Sequence, residues 1–297
     1  MEKTNWHTPF GELRGVTAAK SDEKGRECIR LGIKNVLQTC VGPLIPLYAS
    51  EEDQPSVTLR ADGTLQAVEL ESPQEIKTPA GSFTADGVTF YPSGALKSVR
   101  ISRGEVVERE FHVGFEPFTA ATAQLKFYKN GALQEIVFAE GKRAEVWPEP
   151  YWRILVRFGV TLHESGEILS LEPAHPVKAI TPCGTYNAYN PNAEAGAKEH
   201  WSLQFDTRSR VTAVTTAGDR VYVRQISGGH YDEFVPDLSE GRQIPLRLTF
   251  NYDAEKATII RPDGRAAEYT FEDEFIIYPN AAGGCDASGC DACGMCD

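Results

Sequence analysis

Residues 57–68 read VTLRADGTLQAV, residues 88–99 read VTFYPSGALKSV and residues 125–136 read LKFYKNGALQEI. The three segments align without gaps. Each carries an apolar residue, a glycine four positions on, an apolar residue two further and another three beyond that. The positions are Leu59, Gly63, Leu65 and Val68, then Phe90, Gly94, Leu96 and Val99, then Phe127, Gly131, Leu133 and Ile136. A fourth copy, VTLHESGEILSL, keeps the spacing at Leu162, Gly166, Ile168 and Leu171. A fifth, WSLQFDTRSRVTAV, keeps Phe205, Val211 and Val214 but has Ser209 in the glycine place, and LRLTFNYDAEKATI fits only loosely.

The unit codes a β-hairpin. Asp62-Gly63 and Asn130-Gly131 readily supply the positive φ angles of tight turns, and β-branched and aromatic residues flank them. A three-residue loop ending in a left-handed glycine places Phe90 and Leu96 on one face, and likewise Leu59 with Leu65 and Phe127 with Leu133. The apolar residue three positions later has the opposite parity, so either a bulge intervenes or both faces are partly covered. A second motif, Thr-x-x-Gly, recurs at Thr39–Gly42, Thr78–Gly81 and Thr181–Gly184 and reads as a turn.

The hairpin copies resemble MORN-type repeats and their bacterial variants, in which a Tyr/Phe-x-x-x-Gly-x-Leu pattern recurs along an antiparallel sheet. The resemblance covers roughly residues 57–214, with longer and less even intervals between the glycines. It implies an all-β fold of repeated antiparallel hairpins in an extended or curled sheet, and Gly283-Gly284 ahead of the clustered cysteines adds the expectation of a flexible Cys-rich C-terminal tail. The expected organisation is a hairpin domain over 1–280, with an internal division near 147–152 where Pro148 and Pro150 interrupt any strand, and a tail over 281–297. Helix is expected to be scarce. Residues 18–26 are polar and read as a loop or a short helix, whereas Ile29, Leu31 and Ile33 alternate as in a strand.

Composition narrows the function. The 297 residues are 41% hydrophobic and 24% charged, within the globular range, with a formal net charge of −12. Phosphate backbones and anionic membranes are repelled on average, so neither a nucleic acid nor a membrane is the expected partner. No apolar run reaches the length of a membrane span, and Met1–His7 lacks the apolar core of a secretory signal, so a cytoplasmic location is expected.

The strongest chemical feature is the C-terminal GGCDASGCDACGMCD, in which Cys285, Cys290, Cys293 and Cys296 follow a Cys-x4-Cys-x2-Cys-x2-Cys spacing. Successive Cys-x2-Cys chelates let neighbouring thiolates face one centre, so these four are the candidate metal ligands. The three-cysteine run resembles that of bacterial ferredoxins, although the fourth cysteine precedes the run instead of following it. An iron–sulfur cluster or zinc is the implied cofactor, the compact spacing leaning toward iron–sulfur. The alternative is an unliganded, oxidisable tail.

Elsewhere the signals are weak. The six histidines form no close chelate, and no phosphate-binding loop, nucleophile elbow or zinc helix is present. Cys183 at a turn reads as a buried structural thiol or, less readily, an activated one. Trp147, Tyr151, Trp152, Tyr186 and Tyr189 could pack a core or line a ligand surface. The leading expectation is a scaffold presenting a repeated sheet to a protein partner, the acidic balance favouring a basic one. An accessory redox or metal-delivery protein acting through the tail is the alternative, and an enzyme ranks last.

Overall fold

The computed structural model describes residues 4–8, 11–50, 54–103, 108–114, 116–148, 153–226, 228–239 and 242–279. Within them the fold is all-β. Strands succeed one another from Thr4–Thr8 to Glu274–Pro279, with a 3-10 turn at Lys198–His200. Among the described residues the strands form open antiparallel sheets assembled from hairpins. The described residues form two compact units: those within 1–113, 117–142 and 161–167, and those within 114–116, 143–160 and 168–279. Residues 149–152, central to the expected internal division, lie outside the described residues, as do all of 280–297 with the four tail cysteines.

The first unit is a meander in which sequence neighbours pair as spatial neighbours. Thr4–Thr8, Gly11–Ser21, Glu27–Leu31, Val57–Leu59, Leu65–Thr78, Gly81–Phe90, Leu96–Ile101, Phe118–Phe127 and Leu133–Phe138 follow one another across the sheet. The second unit continues the hairpin style with Ile168–Pro173, Leu203–Phe205, Val211–Thr216, Leu246–Asn251, Lys256–Ile260 and Ala266–Thr270.

The repeated motif folds as one turn. In the second copy Tyr91 N–H donates to Ala95 O at 2.8 Å and Gly94 N–H to Tyr91 O at 2.9 Å, with Gly94 at φ +82°. The same pair of bonds closes the turns at Gly63, Gly131, Gly166 and Ser209. Ser209 takes the glycine's place at φ +58°, and the Asp206 carboxylate, bonded to the Arg208 and Arg210 amides at 2.9 Å each, helps hold that turn. The turn recurs at Gly25, where Ser21 and Glu27 stand in the apolar places, and at Gly264, where Ile260, Ala266 and Tyr269 keep the spacing, a copy the sequence reading missed. Residues 18–26, read as a loop or short helix, are accordingly the end of strand Gly11–Ser21 followed by this turn. The local sequence is polar because the strand end and the turn are largely exposed.

The parity question resolves as a bulge. Thr89 pairs with Ser98 but Phe90 with Leu96, leaving Lys97 as the extra residue. The registers slip identically at Leu59, Phe127 and Phe205. A one-residue bulge restores both later apolar positions to the inner face. Val88, Phe90, Leu96 and Val99 are therefore all buried, as are Val57, Leu59, Leu65 and Val68.

A side chain just before each turn's central pair couples neighbouring hairpins. Arg60 Nη2 donates to Phe90 O, Tyr91 Oη to Phe127 O at 2.7 Å and Tyr128 Oη to Leu162 O at 2.7 Å. Each acceptor is the backbone carbonyl of the next copy's first apolar residue. The Thr-x-x-Gly motif closes other hairpin turns: Thr39, Thr78 and Thr181 each donate Oγ1–H to the glycine carbonyl at 2.8 Å. Thr8 does the same to Gly11 at 2.6 Å, a copy hidden in Thr-Pro-Phe-Gly.

At Gly131, φ is +89° and an added Cβ would lie 3.4 Å from Pro79 Cγ. Gly131→Val is expected to destabilise the chain by at least about 1 kcal/mol, because a β-branched residue is strained at positive φ. Urea denaturation with an unchanged midpoint would refute the assignment.

Candidate functional site

The second unit carries a three-stranded antiparallel sheet in which Asp219–Arg224 is central, flanked by Asp232–Phe234 and Glu274–Pro279. The central strand alternates, as a sheet with one face buried requires. Val221, Val223 and Phe234 point inward and are essentially inaccessible. Arg220, Tyr222 and Arg224 point outward, opposite Tyr278, Ile276 and Glu274.

The sheet is held by a buried carboxylate. Asp219, 1% exposed, accepts from Asn187 N–H and Nδ2–H at 2.6 Å each and from Thr216 Oγ1–H at 2.7 Å. These bonds tie the start of the central strand to the hairpin Val177–Thr181/Gly184–Ala188. At that hairpin's turn the chain approaches so closely that a Cβ on Gly184 would fall 2.6 Å from Ile277 Cδ1.

The outward face forms an open cleft of about 390 Å³ lined by Arg220, Tyr222, Tyr231, Ile276, Tyr278 and Pro279. Tyr222 and Tyr278 meet edge to face, with ring centroids 5.9 Å apart. Their neighbours fix the hydroxyls: Tyr222 donates to Glu233 at 2.7 Å and Tyr231 to Glu274 at 3.0 Å. Burial and the bond to Glu274 both raise the Tyr231 phenol above its ordinary value. Arg220 lies 3.6 Å from Glu233, Arg224 pairs with Glu274 and stacks 5.2 Å from the Tyr231 ring. The cleft thus presents aromatic faces inside a rim of mutually paired charges, which suits binding and supplies no obvious nucleophile or free base.

Deeper in the same unit stands a fully buried carboxylate. Glu172 accepts from Ser202 N–H at 2.7 Å, Ser202 Oγ–H at 2.9 Å, Asn190 N–H at 3.1 Å and Arg157 Nη2–H at 3.3 Å. Burial raises its carboxyl, opposed by the Asn190 and Ser202 donors and by Arg157. Arg157 stacks between the Phe158 and Tyr189 rings, 4.9 Å from each centroid, and its buried Nε has no hydrogen-bond partner. Phe158 itself sits at φ +72°. The group is buried and internally satisfied at the carboxylate, and it reads as an interior tie between distant segments.

Cys183 is buried at its turn, and desolvation pushes its thiol up to about 12, so it is not an activated thiolate. Tyr186 is fully buried and packs 6.4 Å from Phe250, which makes it core, whereas Tyr189 covers Arg157. Tyr151 and Trp152 lie outside the described residues, as do Cys285, Cys290, Cys293 and Cys296. Among the described residues no three His, Cys, Asp or Glu side chains are grouped to hold a metal ion.

Arg220, Tyr222, Tyr231 and Tyr278 escaped the sequence reading. The alternation in Asp219–Arg224 is a usable signal for an outward aromatic face, but its pairing with Glu274–Pro279 spans some fifty residues and leaves no local trace. Set against family models, curated proteins and solved structures, the chain finds no match.

Proposed function

We propose that the chain is a protein-binding scaffold of MORN-type hairpins, acting in the cytoplasm, whose Cys285, Cys290, Cys293 and Cys296 hold an iron–sulfur cluster or zinc. The observation that carries the binding role is the aromatic cleft on the outward face of Asp219–Arg224 and Glu274–Pro279. Tyrosine supplies large contact area at small entropic cost, and tyrosine and arginine are enriched among the residues that dominate interface energetics. The acidic chain favours a basic partner. A photo-crosslinking amino acid at position 278 tests this in cells: it should capture one defined protein that the same group at exposed Lys97 does not. Equal capture at both positions, or none at 278, would overturn the role.

The tail supports the alternative of an accessory redox or metal-delivery protein, because Pro279 at the cleft is followed within six residues by Cys285. A partner seated in the cleft would lie close in sequence to the thiolates. Deleting residues 281–297 is expected to abolish bound iron or zinc in anaerobically purified protein while leaving the thermal transition nearly unchanged. Cys290→Ser, Cys293→Ser and Cys296→Ser should each weaken metal binding strongly, and Cys285→Ser less, if an outside ligand replaces the outlying thiolate. Equal metal content in truncated and full-length protein would exclude the tail as the site.

A further inference from the structure

We infer that the occupant of the cleft is an extended, proline-rich protein segment carrying Lys or Arg beside its prolines. The inference rests on the binding role proposed above and specifies its partner. Three features select this chemistry.

The first is the inventory of donors and acceptors. The Tyr222 and Tyr231 hydroxyl protons are committed to Glu233 and Glu274, and Arg220 and Arg224 are paired with the same carboxylates. What remains is ring faces, the Ile276 side chain, Pro279, and the Tyr278 hydroxyl, which makes no hydrogen bond among the described residues and belongs to a side chain that is 53% exposed. A ligand must therefore stack on aromatic faces, ask for few acceptors and offer an acceptor to Tyr278. A polyproline II segment does all three, since its prolines have no N–H and its carbonyls are not used internally.

The second is charge. Asp232, Glu233, Glu272, Asp273 and Glu274 outnumber Arg220, Arg224 and Arg261 around this sheet, on a chain of net charge −12. The surplus attracts cationic side chains flanking the prolines and steers their approach. The same surplus disfavours the chain's own tail, which carries three aspartates and no Lys or Arg after Pro279.

The third is shape. The cleft is an open trough with Tyr278 and Tyr222 edge to face across adjacent strands, so it admits an extended chain lying along the surface and does not enclose a small molecule. A preformed polyproline II segment loses little conformational freedom on docking there.

Titration calorimetry of the full chain with a synthetic Arg-Pro-Pro-Arg-Pro-Pro-Arg-Pro-Pro peptide tests the inference. Binding is expected, at least about tenfold weaker for Tyr278→Ala and Tyr222→Ala. Tyr278→Phe, which keeps the ring, should bind better than Tyr278→Ala. Substituting every proline by alanine in the peptide, or every arginine by glutamate, should abolish measurable binding. An alanine peptide that binds as tightly, or binding that is indifferent to both tyrosine changes, would overturn the proline-rich assignment. If the peptide fails while the crosslinker at 278 still captures a defined protein, the cleft remains a partner site and only its ligand class is wrong; failure of both removes the binding role itself.

Discussion

Replacing Glu172 by alanine is expected to cost about 3–5 kcal/mol of unfolding free energy, the penalty of stripping one partner from a buried ion pair. The carboxylate is fully buried, and its removal strands the Ser202 and Asn190 amides and the Ser202 hydroxyl, and takes the counter-charge from Arg157, whose Nη2 keeps its bond to the Asn190 carbonyl. The buried Arg157 Nε has no hydrogen-bond partner, so the uncompensated charge would stand beside a donor that is already unsatisfied. Replacing both residues, as Glu172→Met with Arg157→Met, should recover much of the loss, because an apolar pair leaves no uncompensated charge. Urea denaturation of the two single variants and the double variant measures the cycle, and a single-variant cost below about 1 kcal/mol would show that the network carries no such weight.

The same carboxyl gives a pH signature. Because burial raises it in the folded state above its ordinary 4.5, its contribution is fully present below the unfolded-chain value and is lost as pH rises through the folded one. The stability advantage of the natural chain over Glu172→Gln should therefore shrink as pH climbs above 4.5, and a gap that widens instead would reverse the assigned direction.

The second large effect is expected in the first unit. Phe127→Ala should lose about 3–5 kcal/mol, the range for deleting a buried aromatic ring. Phe127 is inaccessible to solvent, and it shares the inner face with Leu125 and Ile136, both also inaccessible. Its pairing with Leu133 sits at the bulge that defines the repeat, so neighbouring strands cannot close over the void without shifting register. Thermal or urea denaturation reads the loss. A change of less than about 1 kcal/mol would mean that the inner face repacks freely and that the repeat is not a core-forming unit.

How far the sequence alone reaches can be read from these residues. The hairpins at Gly63, Gly94, Gly131 and Gly166 were legible because a turn and its flanking apolar positions are local, and local patterns survive in sequence. The turn at Gly25 was not, since Ser21 and Glu27 replace the apolar pair that marks the others. The bulge could be posed as a question but not answered, because apolar residues of mixed parity fit a slipped register and a two-sided sheet equally well. Glu172 gave no sign of burial: its partners stand at 157, 190 and 202, on segments that only the fold assembles. The cleft was hidden for the same reason, its two walls arriving from Asp219–Arg224 and Glu274–Pro279.

The bonds that run from Arg60 to Phe90, Tyr91 to Phe127 and Tyr128 to Leu162 all point the same way along the chain. Each of these joints has the same socket, a main-chain oxygen, met by an arginine once and a tyrosine twice, so the acceptor asks for no particular neighbour. Splicing Phe90 directly to Tyr128 would still leave an apolar residue, a turn with Asn130-Gly131 and a forward reach to Leu162. Such parts are exchangeable. A gene encoding them can gain or lose a whole period by duplication or excision without inventing a new contact, and the reach of the sheet becomes a matter of copy number.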